Sequence, residues 1–239
     1  MEALPFALVL LSTVSHAYWN YLIKRSSNKH IFTALSKLAE TTLFAIPAVY
    51  FLLHTEFQPN FLLLISVAAL ITSFNYYFLS QAYQHGDLSL VYPLSRSSIL
   101  FLPVLAYFTI GETIDLTGFV AIVLIVLAVL IIHLRSLSRS GLQSLFHQLH
   151  NKGTVFALLA ALTVAGYTLW DKIAIRSMQP FLYFYLYTVL ITIVYSSFTI
   201  LFFRRSEIKS EWQRNKSAII QVGFFNSFTY ILVLIALTT

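Results

Sequence analysis

Apolar residues gather along this chain into long runs separated by short polar breaks, and run length decides their meaning. A helix needs roughly 20 mostly apolar residues to cross the hydrocarbon of a bilayer. Eight such runs occur: Leu4 to Leu22, Ile31 to Leu53, Phe61 to Tyr83, Leu88 to Ile110, Leu116 to Leu134, Thr154 to Ile175, Phe181 to Phe203 and Ser217 to Thr239. Each is predicted to be a helix, because strands that span membranes are about half as long and alternate in polarity. The first run carries His16, Trp19 and Asn20 in its second half with no small-residue cleavage site after it, so it reads as a retained span rather than a secretory leader. The expected fold class is an all-α integral membrane protein, a multi-span helical bundle.

Most connections are tight, as at Gln84 to Asp87, Gly111 to Asp115 and Ser177 to Pro180. Arg135 to Gly153 and Arg204 to Lys216 are longer and are the stretches able to hold structure outside the bilayer. The chain also matches itself. Trp19-Asn20 and Arg25-Ser26 align with Trp170-Asp171 and Arg176-Ser177, and Ser73-Phe74, Tyr76 and Ala82 align with Ser227-Phe228, Tyr230 and Ala236, both at offsets of about 150 residues. Residues 1–134 therefore read as a first five-span repeat, 135–153 as a connecting loop and 154–239 as a second repeat with its last two spans missing. A five-span unit crosses an odd number of times, so its successor enters the bilayer inverted.

Composition agrees with the pattern. The chain of 239 residues is 58% hydrophobic and 10% charged, with a mean hydropathy of +0.78, whereas soluble domains are about 25% charged. A nucleic-acid binder is excluded despite the net charge of +6, since Lys and Arg collect in cytoplasmic loops of membrane proteins. Here the loops after spans one, five and seven hold Lys24, Arg25, Lys29, Arg135, Arg139, Lys152, Arg204, Arg205, Lys209, Arg214 and Lys216, while those after two, four and six hold Arg176 alone. That asymmetry places the N-terminus outside. With no cysteine, thiol chemistry and Cys-ligated metals are ruled out.

Polar side chains inside a span cost about 2.5 to 3.5 kcal/mol each when ionisable, so each needs a reason. Ser12, His16 and Asn20 recur every four residues with Ser15 and Trp19 beside them, which makes one inward polar face. Lys37 and Glu40 are three apart and able to pair, either structurally or near the interface. Span three adds Asn75 and Tyr76, span four Arg96, and span six Tyr167 and Trp170. Together these residues are the cavity candidates: Arg96 and Lys37 to receive an anionic group, and Trp19, Tyr76 and Trp170 as walls. Interhelical hydrogen bonding is the plainer role for His16 and Asn20, and an aromatic belt for the tyrosines. Asp171 with Lys172 is expected close to the membrane surface. Pro47, Pro93 and Pro103 are expected to bend their spans. No nucleophile elbow, phosphate loop or His-Glu-x-x-His motif occurs, and His147 and His150 read as an ordinary loop rather than a metal site, so neither an enzyme nor a cofactor is expected.

Four features carry a resemblance. They are Ser15-His16-Ala17-Tyr18-Trp19-Asn20 followed by Lys24; the junction Ala82-Tyr83-Gln84-His85-Gly86-Asp87-Leu88-Ser89-Leu90-Val91-Tyr92-Pro93-Leu94; the Gly111-Glu112 hairpin; and Gly118 entering span five. In these the chain resembles the EamA family of the drug/metabolite transporter superfamily. Span five lacks the later glycine of many members, its nearest small residue being Ala128. The resemblance implies ten spans in two inverted halves and a transporter, usually an exporter, of small polar or amphipathic metabolites such as amino acids. A proton-coupled exporter of lipophilic cations, with Glu40 as its carboxylate, and a non-transporting remnant are the alternatives. Expected partners are the small-molecule substrate and the lipid bilayer, no nucleic acid, with a homodimer left open, and the expected location is the plasma (inner) membrane of a bacterium. Cytoplasmic termini, also implied, disagree with the charge count and leave the orientation open.

Overall fold

The computed structural model describes residues 3–111, 113–133 and 151–238. The central loop with His147 and His150, Glu112 of the hairpin, Leu134 and the chain ends lie outside the described residues. Every regular element among the described residues is helical. The helices are α1 (Ala3–Arg25), α2 (Lys29–Leu43), α3 (Ala45–Leu53), α4 (Asn60–His85), α5 (Leu88–Ser95), α6 (Leu102–Ile110), α7 (Leu116–His133), α8 (Lys152–Ala174), α9 (Pro180–Phe202) and α10 (Arg205–Thr238), with a 3₁₀ turn at Ser97–Leu100 between α5 and α6. Five of the described helices are long and apolar enough to cross a membrane, or six when α2 and α3 count as one bent span.

Proline sets the breaks. Pro47 has no N–H for the carbonyl of Leu43 and its ring crowds that carbonyl, and the helix gives way there: α2 ends at Leu43 and α3 leaves at 53°. The run expected as a fourth span breaks twice over, with α5 ending two residues after Pro93 and α6 opening with Pro103 in its first turn. Between them the chain tightens into the 3₁₀ turn, so the expected bend is a true interruption. Gly111 ends α6 in the left-handed conformation at φ 67°, which a residue without Cβ adopts at no steric cost.

The helices are inside-out by the standards of a soluble protein. On α1 the buried positions include Ser12, Ser15, Trp19, Asn20 and Ile23, while Leu10, Leu11, Val14 and Tyr18 are exposed. Leu116 and Leu124 of α7, and Ile200, Leu201 and Phe202 of α9, are likewise exposed. A polar face turned inward and an apolar one outward is the arrangement lipid selects. The chain is an integral membrane protein.

It divides into two compact units, Met1–Ser73 with Trp170–Thr239, and Phe74–Leu169. In the first, α1 packs along α10, and α2 lies against both α10 and α9. In the second, α7 packs on α5 and the 3₁₀ turn, and the rings of Tyr77 and Phe78 on α4 meet Phe156 of α8 at 6.4 and 6.2 Å.

At 34 residues α10 is far longer than a bilayer requires, about 51 Å against about 30 Å of hydrocarbon. Its opening turns lie in the Arg204 to Lys216 connection, one of the two stretches long enough to hold structure outside the bilayer, and they form a helical extension rich in charge. One of those charges faces inward: Glu211 is 3% exposed. Its Oε2 accepts from the backbone N–H of Asn28 at 3.2 Å, and its Oε1 from Asn215 Nδ2 at 2.7 Å. Asn28 in turn caps α2 by accepting from the N–H groups of His30 and Ile31. The two basic loops around Lys24–Lys29 and Arg204–Lys216 thus share one end of this unit, as the charge count requires. Glu211→Ala should cost about 1–3 kcal/mol, because it orphans a backbone donor beside a helix start; thermal unfolding in detergent micelles measures it.

Candidate functional site

Besides Glu211, two buried carboxylates organise the first unit, Glu40 and Asp171. Glu40 is held from three sides: Lys37 Nζ donates to Oε2 at 2.7 Å, and Asn226 Nδ2 and Ser227 Oγ each donate to Oε1 at 2.8 Å. Thr192 Oγ1 on α9 donates to the backbone carbonyl of Lys37 at 3.2 Å. Lys37 and Glu40 are 3% and 2% exposed. The spacing of three that suggested a pair from sequence therefore makes one, and the pair is also the joint between α2, α9 and α10. Gly223 makes that joint close enough to form. A Cβ there would stand 2.9 Å from the backbone nitrogen of Glu40 and 3.0 Å from the carbonyl oxygen of Ser36.

Asp171 is the second carboxylate, three residues before the end of α8. It is 3% exposed. The Ser177 to Pro180 turn folds α9 back beside the end of α8, so Tyr183 donates its hydroxyl to Oδ1 at 2.7 Å. Tyr230 of α10 donates to Oδ2. Around them Phe184 stacks on Tyr230 with ring centroids 5.2 Å apart, and Tyr187 meets Tyr183 at 5.1 Å and Tyr230 at 6.1 Å. Neither Tyr183 nor this cage was nominated by the sequence.

The polar face of α1 completes the first unit. Asn20 Nδ2 donates back to the carbonyl of His16 at 2.7 Å, and the rings of His16 and Trp19 meet edge to face at 4.7 Å. Trp19 is 4% exposed, yet its indole N–H meets no acceptor among the described residues. An indole donor left open in a buried place is suited to an acceptor on a ligand or water. Trp170 differs, since its Nε1 donates to the carbonyl of Leu64 at 2.8 Å and so ties α8 to α4.

In the second unit Asn75 Nδ2 donates to the carbonyl of Ala160 and to Thr163 Oγ1, both at 3.0 Å, which joins α4 to α8. Tyr76, the next residue, is 8% exposed, and Tyr167 is half-buried on α8. Arg96 stands where span four is interrupted. Its amide is shared between the carbonyls of Tyr92 and Pro93, and its guanidinium lies over the Tyr92 ring, 5.4 Å from the centroid. The hydroxyl of buried Tyr83 bonds with Arg96 and Ser95.

The sequence candidates therefore fall into two groups. His16, Trp19, Asn20, Lys37, Glu40 and Trp170 belong to the first unit, and Asn75, Tyr76, Arg96 and Tyr167 to the second. Lys37, Glu40, Asn75 and Trp170 hold helices together, and Arg96 meets Tyr83 and Tyr92.

Comparison with known proteins bears on what these groups serve. The family described as EamA-like transporter family matches residues 4–134. No curated protein matches the chain.

Proposed function

The chain belongs to the EamA-like transporter family, and from that premise we propose that it exports a small polar or amphipathic metabolite, of the amino-acid kind, by alternating access between two inverted halves. The observation that carries the substrate class is Arg96 at the interruption of span four. A guanidinium stacked on Tyr92 keeps its planar fork directed and binds a carboxylate through two parallel hydrogen bonds. A broken span is also the part best able to change shape as the site opens to either side.

Eight spans are the reading that fits the pieces: six as seen, with α5 to α6 as an interrupted fourth and α7 as the fifth. Helix pairing supports the inverted repeat. If two halves are related by a two-fold axis in the membrane plane, span one packing on span eight must be matched by span six packing on span three. Tyr18 of α1 donates to Gln221 of α10 at 2.5 Å, while Trp170 and Asn75 join α8 to α4. Span two against span seven, the pair on the axis, is joined by Thr192 and Lys37.

Arg96→Gln tests the substrate class. In vesicles carrying the wild-type chain, labelled acidic and zwitterionic amino acids should exchange across the membrane. The variant should lose about 10- to 100-fold in transport, the equivalent of one charged hydrogen bond. Unchanged transport in the variant would remove the carboxylate from the proposal; no transport by the wild type would remove the amino-acid class.

The lipophilic-cation reading needs an accessible carboxylate. Glu40 is poorly suited to that role, since Lys37, Asn226 and Ser227 already occupy both of its oxygens.

A further inference from the structure

Glu40 and Asp171 are both buried carboxylates, and they differ in what neutralises them. Glu40 has the ammonium of Lys37. Asp171 has two phenols: Tyr183 from α9 and Tyr230 from α10 face its oxygens. On its own helix Lys172 is the adjacent charge, half-exposed at the next position. No Lys, Arg or His forms an ion pair with Asp171 among the described residues.

We propose that Asp171 is a proton-binding site, and that its proton couples the packing of α8, α9 and α10 to transport; the coupling, though not the site, rests on the transporter reading. A carboxylate withdrawn from water with neutral donors alone remains costly, and a proton removes the charge where no cation does. Access is lopsided. Tyr183 is wholly buried, whereas Tyr230 is partly exposed, so the proton is taken up at Oδ2, the more open oxygen, beside the Tyr230 hydroxyl.

Its arrival changes the bonding. The ionised group accepts from both phenols. Once Oδ2 carries a hydrogen it is a donor, the group loses one negative charge, and Tyr230 must turn its hydroxyl to accept. One proton therefore reverses the bond that ties α10 to α8 and leaves the Tyr183 bond in place. The device also belongs to one repeat alone: the residue aligned with Asp171 in the first repeat is Asn20, whose amide does not titrate.

Dicyclohexylcarbodiimide tests the site without a known substrate, since it adds to protonated carboxyls in apolar surroundings, and peptide mass locates the adduct. The full chain in membranes should be labelled at Asp171 and not at the ion-paired Glu40, with labelling lost as pH rises. In Tyr230→Phe the loss should move to more alkaline pH, because the ionised form lacks one donor. A purely structural Tyr230 would lower the yield without moving the profile. Adduct on Glu40 instead, identical profiles in the two proteins, or no adduct at Asp171 at any pH would each overturn the site.

Vesicles test the coupling with the same labelled amino acids. An imposed proton gradient should stimulate wild-type transport, and Asp171→Asn should abolish the stimulation. Wild-type transport indifferent to the gradient overturns the coupling and leaves the transporter reading. A pH-dependent adduct without transport of any tested amino acid overturns that substrate class and leaves the proton site.

Discussion

Lys37→Met should destabilise the folded protein by about 3–5 kcal/mol, the cost of leaving one member of a buried ion pair without the other. Both side chains are nearly inaccessible, so water cannot replace the lost ammonium, and Asn226 and Ser227 supply Oε1 with dipoles rather than charge. Glu40→Gln should fall in the same range for the opposite reason, since it strands the ammonium. The double variant Lys37→Met/Glu40→Gln should recover most of the loss, because uncharged partners of similar volume remove the charges together. Unfolding in detergent micelles, run as a double-mutant cycle, gives the coupling directly. Additive single effects would show that the pair is not the unit that holds α2 to α10.

How far the sequence reaches depends on the distance over which each feature is determined. Apolar runs mark the spans because a bilayer imposes one length on all of them, and α1, α4, α8 and α9 follow those runs closely. The Lys37–Glu40 pair is legible because three residues bring two side chains to one helix face. Pro47 likewise acts locally, on the carbonyl four residues back. The environment of Asp171 is different in kind. Its partners are 12 and 59 residues away, and no local period or spacing points to either. The same holds for Asn226, which is 186 residues from Glu40. Trp170 and Asn75 were legible as polar groups in a span but not as ties between helices, because their acceptors include backbone carbonyls that every residue carries alike. Span four lies between these cases. Pro93 and Pro103 announce a bend, but that Arg96 at the break meets Tyr83, nine residues before Tyr92 and on another helix, is not written in any local spacing.

Gly223→Ala should cost about 1–3 kcal/mol and Gly223→Val more, although alanine is the better helix former by up to about 1 kcal/mol. The reason is what the new methyl meets. Its nearest neighbours would be the backbone nitrogen of Glu40 at 2.9 Å and the backbone oxygen of Ser36 at 3.0 Å, with Ala39 Cβ at 3.2 Å. None of these can rotate away, so α2 and α10 must separate. Asn226 and Ser227 lie one turn further along α10, and any separation lengthens both of their bonds to Glu40. The loss should therefore overlap with that of Asn226→Ala, and the two together should cost less than their sum. Gly118→Ala is the informative contrast. Its methyl would meet Asp115 Oδ1 at 3.0 Å and Ile114 Cγ2 at 3.1 Å, side-chain atoms that can shift; Asp115 does so at the expense of the bond it accepts from the Gly118 N–H at 2.8 Å, and the better helix propensity of alanine offsets part of that, so the effect should stay within about 1 kcal/mol of zero. Heating both variants in micelles and measuring the fraction that stays monodisperse separates them. Equal stability of Gly223→Ala and wild type would mean that α2 and α10 can part without loss, and the close crossing at Glu40 would no longer explain how that carboxylate is held.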